Sequence, residues 1–315
     1  MRAVVATAFS LDALRVVERD IPRPRRGEIL VRVNAASRNY RDLAILDEAY
    51  LPSLGLPFVP ASDCAGVVVE AGEDVTRFKS GDHVIPIYTQ GWHDGLPTLE
   101  LRTRRTLGGP LEGVLRDYVV VPAEDAVAMP SHLSATEAAT LPIAALTAWS
   151  TLMEGGIKAG DSVLVQGTGG VALFALQFAK LHGARVIATS SSNEKLARAI
   201  RLGADTGINY RTNPDWQRSV REATGGRGVD IVVETAGATL EKSLAATAFG
   251  GFIGVVGFVA GYRADIPIRA LLGPMLRVQG IAVGVSSFEE RRAFRKDRDR
   301  RRGALTGGVA WRDVA

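Results

Sequence analysis

The chain of 315 residues holds one cysteine, Cys64, and four histidines. A lone cysteine excludes an intrachain disulfide and any cysteine-rich structural zinc site. His83, His93, His132 and His182 are scattered, without the short spacings that hold a metal. Each reads as a surface or packing residue. No apolar run reaches the length of a bilayer-spanning helix. The opening stretch MRAVVATAFSLDALRVVERD lacks the sustained apolar core and cleavage pattern of a secretory leader. A cytoplasmic protein with no membrane partner is expected. Excess charge is confined as well. The net charge is +4, and Glu289 to Arg302 carries eight basic and four acidic residues, which accounts for all of it. The remainder is neutral and offers no electrostatic surface for nucleic acid.

What is present fits a soluble globular chain, with 46% hydrophobic and 23% charged residues. The length suggests about two domains. The chain is organised around Ser162 to Lys195, SVLVQGTGGVALFALQFAKLHGARVIATSSSNEK. Ser162 to Gln166 reads as a strand buried on both faces. Gly167, Gly169 and Gly170 follow at once. From Val171 to His182 the apolar residues fall close to helical spacing, and Gly183 supplies a C-cap. Ala184 to Ala188 is the next strand. Gly167, Gly169 and Ala172 form G-x-G-x-x-A in a strand–turn–helix context. The first glycine permits a tight turn, the second lets backbone approach a pyrophosphate, and the third small residue packs helix on strand. The helix N-terminus offers N–H groups and a positive dipole end to phosphate.

The end of the second strand bears on which dinucleotide is bound. A site for NAD usually places Asp or Glu there, about twenty residues on, to hold the ribose 2′-OH. This chain has Thr189, Ser190, Ser191 and Ser192, then Lys195. Small hydroxyls and a cation suit a 2′-phosphate, which a carboxylate would repel. NADP(H) is therefore the expected cofactor. The alternative reading of the serines is a capping loop before the next helix.

The first 125 residues read as many short strands with frequent turns, the pattern of a small barrel-like β domain. Ala36 to Leu46 reads as a turn into a short helix, and Gln90 to Pro110 as a loop. Ser134 to Glu137 is an N-cap box, opening helical segments from Ala138 to Met153. Beyond the nucleotide unit, strands and helices alternate: Gly207 to Tyr210, Asp215 to Ala223, Asp230 to Glu234, Leu240 to Ala248 and Phe252 to Phe258. This implies a doubly wound parallel sheet with a sixth strand over Val278 to Val283. The expected division is a β-rich domain over 1–125, a Rossmann domain over 126–284 and an atypical charged tail over 285–315. The tail lacks apolar periodicity, and its interspersed acids favour a solvated segment over a basic arm.

On these residues the chain resembles the medium-chain dehydrogenase/reductase superfamily, on its zinc-independent, quinone-reductase-like side. The matching pieces are PASDCAGVVVEAGEDVTRFKSGDHV, LPIAALTAWSTL, the nucleotide unit, LGADTGINYR and GRGVDIVVETAG. The resemblance implies an α/β protein, with a GroES-like catalytic domain, a Rossmann domain and an active site in the cleft between them. It implies a homodimer formed through the edge strand at Val278 to Val283. By resemblance, Gly167, Gly169, Gly170 and Val171 form the pyrophosphate turn, while Ser190, Lys195 and Tyr210 meet the 2′-phosphate. Thr147 lies near the nicotinamide, and Gly257, Phe258, Val283 and Gly284 hold its carboxamide. The resemblance also carries a departure. Asn39 stands where zinc-using members have a cysteine, and Ala61-Ser62-Asp63 replaces their Gly-His-Glu. No cysteine is left for a further ligand, so no zinc is expected.

Without a metal, a substrate oxygen must be polarised by hydrogen-bond donors. The candidate catalytic cluster is Asn39, Tyr40, Arg41 and Asp42. Asn39 and Tyr40 could donate to a carbonyl, and Arg41 could stabilise enolate charge. Equally, Arg41 and Asp42 could form an ordinary ion pair with Tyr40 packed beside them. Trp92, His93 and Asp94 read as a surface loop, or as a loop lining the substrate. The expected activity is NADPH-dependent hydride transfer to a small carbonyl, enone or quinone, or from the corresponding alcohol. The competing expectation is a nucleotide-binding paralogue or sensor impaired by its altered C-terminus.

Overall fold

The computed structural model describes residues 1–51 and 53–283. The expected tail over 285–315 and the position of Gly284 lie outside them. The chain divides into two compact units between Ile143 and Ala144.

The first unit is built on β1 (Arg2–Ala6), β2 (Leu14–Glu18), β3 (Glu28–Ser37), α1 (Tyr40–Leu46), β4 (Asp63–Ala71), β5 (His83–Pro86), α2 (Leu99–Arg104), β6 (Tyr118–Pro122), β7 (Ala126–Ala128) and α3 (Ala135–Ala138). β1 and β2 form an antiparallel hairpin. The other strands form an antiparallel sheet in the order β6-β3-β4-β5-β7. Its core is Ile29, Val31, Val68, Val84, Val114, Val119 and Val121, all essentially inaccessible. Gly66 sits where the β3–β4 register shifts. A Cβ there would lie 2.2 Å from the Arg32 carbonyl oxygen, so only glycine allows that approach.

The unit extends further than the expected division at 125. β7 pairs with β5, and Leu133, Ala138 and Ala139 pack with Ala65 and Ile85. An alanine-rich helix carries little hydrophobic contrast, so its packing partner cannot be read from periodicity. The expected loop over 90–110 contains α2, opened by Thr98, whose side chain accepts from Leu101 N–H.

The second unit contains α4 (Leu146–Glu154), β8 (Ser162–Gln166), α5 (Gly170–Leu181), β9 (Arg185–Ser190), α6 (Asn193–Arg201), β10 (Thr206–Asn209), α7 (Trp216–Ala223), β11 (Val229–Glu234), α8 (Leu240–Ala246), β12 (Thr247–Val255), α9 (Ile268–Leu272) and β13 (Arg277–Gly280). The six strands are all parallel, in the order β10-β9-β8-β11-β12-β13. This is the doubly wound arrangement, and the order reverses at β8 and β11. Leu164, Ile187, Val232 and Ile253 are fully buried between the helical layers. α5 ends at Leu181 and is capped by His182, with Gly183 at φ 76°, the left-handed position expected there.

β9 and β10 shift by a residue or two, and two strands differ further from expectation. β12 begins at Thr247, its register interrupted by an irregularity against β11. β13 is Arg277–Gly280, shorter than Val278 to Val283 and starting a residue earlier. Ladder bonding ends at the Val255–Gly280 pair, so the apolar run beyond it no longer counts as strand.

β8 and β11 are fastened at both ends. At the start, Asp230 Oδ2 accepts Ser162 N–H at 2.7 Å and the Ser162 hydroxyl at 2.9 Å. Arg227 grips the same carboxylate with two nitrogens at 2.6 Å. Partial burial alone would raise the Asp230 pKa; these donors hold it down at about 2. At the far end Glu234 meets Gln166.

Candidate active-site and dinucleotide-binding residues

In the first unit the candidate cluster surrounds the start of α1. Asn39 is extended, at φ −119° and ψ 158°, and Asp42 Oδ2 accepts its N–H at 2.7 Å. That bond is half of a capping box, and it holds the buried Asp42 beneath the first turn. Burial pushes the Asp42 pKa up, against the opposing pull of the Asn39 N–H and the Arg41 charge.

Arg41 is engaged elsewhere. Its Nη1 donates to the Leu107 and Gly108 carbonyls, each at 3.3 Å, and its Nη2 to Thr106 Oγ1 at 3.3 Å and to the Gly109 carbonyl. The guanidinium lies 5.5 Å from the Tyr50 ring centroid and 5.1 Å from that of Tyr88. Arg41 therefore pins the 106–109 loop. It forms no salt bridge with Asp42 among the described residues, and its terminal nitrogens are taken by three backbone carbonyls and the Thr106 hydroxyl rather than held for an enolate. Tyr40 is 42% exposed, the member of the cluster that reaches solvent.

Beside α1 runs the strand-entry tract Ala61-Ser62-Asp63. Ala61 is buried at φ 63°, a conformation alanine rarely adopts. Asp63 is fully buried. Its Oδ1 accepts the Ser62 hydroxyl at 2.8 Å and its Oδ2 the Ile143 N–H at 2.9 Å. Burial pushes its pKa up to about 7. Ser62, Ile143 and the Asn39 side chain oppose the rise, while the Asp42 charge adds to it. Asn39 Nδ2 has no partner at hydrogen-bond geometry among the described residues, although its side chain lies near enough to Asp63 to oppose the rise. Asp42 Oδ1 and Arg41 Nε are likewise buried and unpartnered. The first turn of α1 thus carries polar atoms with capacity left over.

These donors do not suit zinc. Asn39, Ser62 and Asp63 offer one carboxylate, whereas a zinc site takes at least three protein ligands. Among the described residues, no three of His, Cys, Asp and Glu converge on a common point. Cys64 is fully buried, and burial with the neighbouring Asp63 charge pushes its thiol pKa far up, away from thiolate. Trp92, His93 and Asp94 hold their own loop together. The Trp92 indole donates to the Asp94 and Gly95 carbonyls at 3.0 Å, and His93 Nε2 lies 2.8 Å from Asp125.

In the second unit the glycine turn follows β8. Gly167 has φ 76°, the left-handed region that favours glycine. A Cβ on Gly167 or Gly169 would meet nothing within 4 Å, so the turn stands open on the side a phosphate would approach. Gly170 begins α5, where a Cβ would touch that of Ala144 at 3.2 Å, and Val171 follows in the first turn. The residues present fit a pyrophosphate at this helix end.

The expected 2′-phosphate residues gather at the tip of β9. Ser190 is buried at the strand end, with its Oγ 3.4 Å from Thr168 Oγ1. Ser192 caps α6 by accepting from Lys195 N–H at 3.3 Å, so the capping role holds beside any ligand role. Lys195 is exposed, and its ammonium has no partner among the described residues. Glu194 points along the helix to Arg198 at 3.1 Å. Tyr210 is 41% exposed and donates its N–H to the Ser190 carbonyl at 3.0 Å.

Thr147 is buried in α4, its carbonyl taken by Thr151 Oγ1 at 2.7 Å. Gly257 passes so close to Thr235 that a Cβ would lie 2.8 Å from its carbonyl oxygen. Phe258 packs on Tyr262, with ring centroids 4.7 Å apart. Val283 is half-buried at the last described position.

The sequence assigns no site role to Gln166, Glu234 and Ser243, and it marks Asp63 only as part of the departure from the zinc-using pattern. A signal existed for Glu234, a carboxylate closing the apolar run Ile231-Val232-Val233. No charge at the end of a buried strand goes without partners.

Two family profiles match the chain: "Alcohol dehydrogenase GroES-like domain" over residues 25–131 and "Zinc-binding dehydrogenase" over 170–296. A zinc-type alcohol dehydrogenase-like protein of Schizosaccharomyces pombe is 43% identical over 301 residues, 92% of this chain and 87% of that protein. The crystal structure of a putative alcohol dehydrogenase from Sinorhizobium meliloti superposes with a TM-score of 0.87 at 46% identity, covering 98% of this chain and 89% of that one. A quinone oxidoreductase from Thermus thermophilus, solved alone and with NADPH, superposes at 0.72 with 28% identity, covering 97% and 86%. With a GroES-like unit joined to a doubly wound sheet and matched along nearly its whole length, the chain belongs to the medium-chain dehydrogenase/reductase superfamily, among its alcohol dehydrogenase-like and quinone oxidoreductase members.

Proposed function

We propose that the chain is an NADP(H)-dependent oxidoreductase acting on a small carbonyl, enone or quinone, or on the corresponding alcohol, without catalytic zinc. The observation that carries the cofactor choice is the tip of β9. It presents Ser190, Ser192 and a Lys195 ammonium with no partner among the described residues, while the nearby Glu194 is engaged by Arg198. A 2′-phosphate there meets hydroxyls and a cation rather than a carboxylate.

A bound nicotinamide supplies the hydride, or takes it up in the reverse direction. Gly167 and Gly169 admit the pyrophosphate, and the start of α5 complements its charge. Asn39 donates its otherwise unpartnered Nδ2 to the substrate oxygen, and the exposed Tyr40 hydroxyl is the second donor. Arg41 and Asp42 act behind them by fixing the 106–109 loop and the helix start. A hydride delivered to the electrophilic carbon would leave charge on that oxygen, which these donors would stabilise and the Tyr40 hydroxyl would protonate, regaining its proton from solvent.

Paired titrations with NADPH and NADH, followed by nicotinamide fluorescence, test the reading. Wild type should prefer NADPH, and Lys195→Ala should lose about tenfold in NADPH affinity with NADH little changed. Equal affinities in wild type would overturn the cofactor choice. Turnover of a quinone and enone panel with NADPH, unaffected by chelators, tests the metal-free chemistry. We also propose that two copies pair through β13, the edge strand of the sheet among the described residues, which light scattering would show as a dimer.

A further inference from the structure

The carboxylate of Glu234 is fully buried at the C-terminal end of β11 and has donors on every side. Its Oε1 accepts the N–H groups of Ala236 and Gly237, each at 2.9 Å. Its Oε2 accepts Gln166 Nε2 at 2.7 Å and the Ser243 hydroxyl. Gln166 turns its other face to the same segment. Its Oε1 accepts Thr235 N–H at 3.2 Å and Ala236 N–H at 3.3 Å, and its carbonyl accepts the Thr235 hydroxyl at 3.0 Å. Gln166 is also the residue before Gly167.

The turn after β11 is tied onward to the segment after β12. Val256 donates to the Glu234 carbonyl at 2.9 Å, Val259 to that of Thr235 at 3.2 Å and Ala260 to that of Ala236 at 2.9 Å. The two backbones touch so closely that a Cβ on Gly237 would lie 2.4 Å from the Gly261 carbonyl oxygen. The strand order gives this assembly a place. Ligands of doubly wound sheets lie across the carboxyl ends of the strands at the switch point. With phosphates at the turn after β8 and a 2′-phosphate at the tip of β9, the other half of a dinucleotide must run the opposite way. It therefore crosses the turns after β11 and β12.

We propose that Glu234 is a positioning residue that holds the ledge formed by Thr235–Gly237 and Val256–Gly261 in register with the phosphate turn, so that both halves of the dinucleotide are met at once. The proposal rests on the dinucleotide reading above. The hydrogen-bond chemistry shows why a carboxylate is needed. Glu234 accepts four times and donates never, and the Gln166 amide is oriented by it. A glutamine at 234 facing oxygen to Ala236 and Gly237 would turn its NH2 against that of Gln166. Flipping Gln166 would then set its own NH2 against the Thr235 and Ala236 N–H groups. No orientation of two amides satisfies the set.

The test compares NADPH with 2′,5′-ADP, which carries only the adenosine half, by calorimetry on wild type, Glu234→Gln and the milder Ser243→Ala. Wild type should bind both. Glu234→Gln should weaken NADPH about tenfold, and Ser243→Ala by about threefold, with 2′,5′-ADP within about twofold of wild type in both. Retained 2′,5′-ADP binding shows that the sheet and phosphate turn are folded. Unchanged NADPH affinity in both variants overturns the positioning role. Equal loss of both ligands in Ser243→Ala also overturns it, because the network then serves the whole fold. Wild type that binds neither ligand brings down the dinucleotide reading itself.

Discussion

Each unit buries a carboxylate at the heart of its candidate site, and the two are treated differently. Glu234 is met by two backbone amides, an amide side chain and a hydroxyl. Asp63 receives one hydroxyl and one N–H, and burial drives it towards the protonated form. Nearby, Asn39 Nδ2 and Asp42 Oδ1 have no partner at hydrogen-bond geometry among the described residues. A saturated network fixes geometry. An unsaturated one retains capacity for a further partner, and buried polar atoms without partners are uncommon enough to mark a place where one belongs. The second unit thus holds a saturated network, and the first a set of buried polar atoms with hydrogen-bonding capacity left over among the described residues.

The sharpest way to break this contrast is Gln166→Leu. It leaves Glu234 Oε2 one donor short and strands the Thr235 N–H, while the Ala236 N–H keeps Glu234 Oε1. A loss of about 3 kcal/mol is expected from hydrogen bonds to a buried charge. It should appear as a lower urea midpoint for the unfolding transition of the second unit.

Asp63→Asn should do the reverse, in a pH-dependent way. The folded pKa of Asp63 is raised to about 7 from a reference of 3.8, so the native state binds the extra proton. The carboxyl therefore costs nothing extra below the reference value, and stability falls as pH rises from there through about 7. Asparagine keeps the shape, accepts from Ile143 N–H and donates to Ser62. Between pH 5 and pH 8 the variant should gain about 2 kcal/mol relative to wild type in denaturant melts. A difference flat with pH would mean that Asp63 titrates normally and that the contrast drawn here is mistaken.

Arg41→Lys should have the smallest effect, about 1 kcal/mol, because an ammonium cannot span the four acceptors that the guanidinium reaches. The change should show as faster proteolytic cleavage around residues 106–109 and only a slight fall in Tm.

Much of the second unit was legible in the sequence. Consecutive apolar runs, three glycines in a fixed pattern and a glycine cap left few alternatives, because a parallel sheet buried on both faces writes its strands plainly. The limits of β12 and β13 were less so, since apolar residues continue past the last paired position. In the first unit α1 was readable. The attachment of Ala126 to Ile143 was not, because it depends on pairing between β5 and β7, strands far apart in the chain. Arg41 shows the limit for site residues. Its type and place admitted an enolate partner or an ion pair with Asp42. The outcome, a clasp on carbonyls of a distant loop, is a tertiary contact that local sequence does not encode.

The two fastenings between β8 and β11 share one ruler. Ser162 and Gln166 are four residues apart, as are Asp230 and Glu234. Deleting one residue from either strand alone would preserve one clasp and misplace the other, whereas matched deletions in both would preserve the pair. Descendants of this chain are thus free to lengthen almost any loop around the sheet, while these two strands can change length only together.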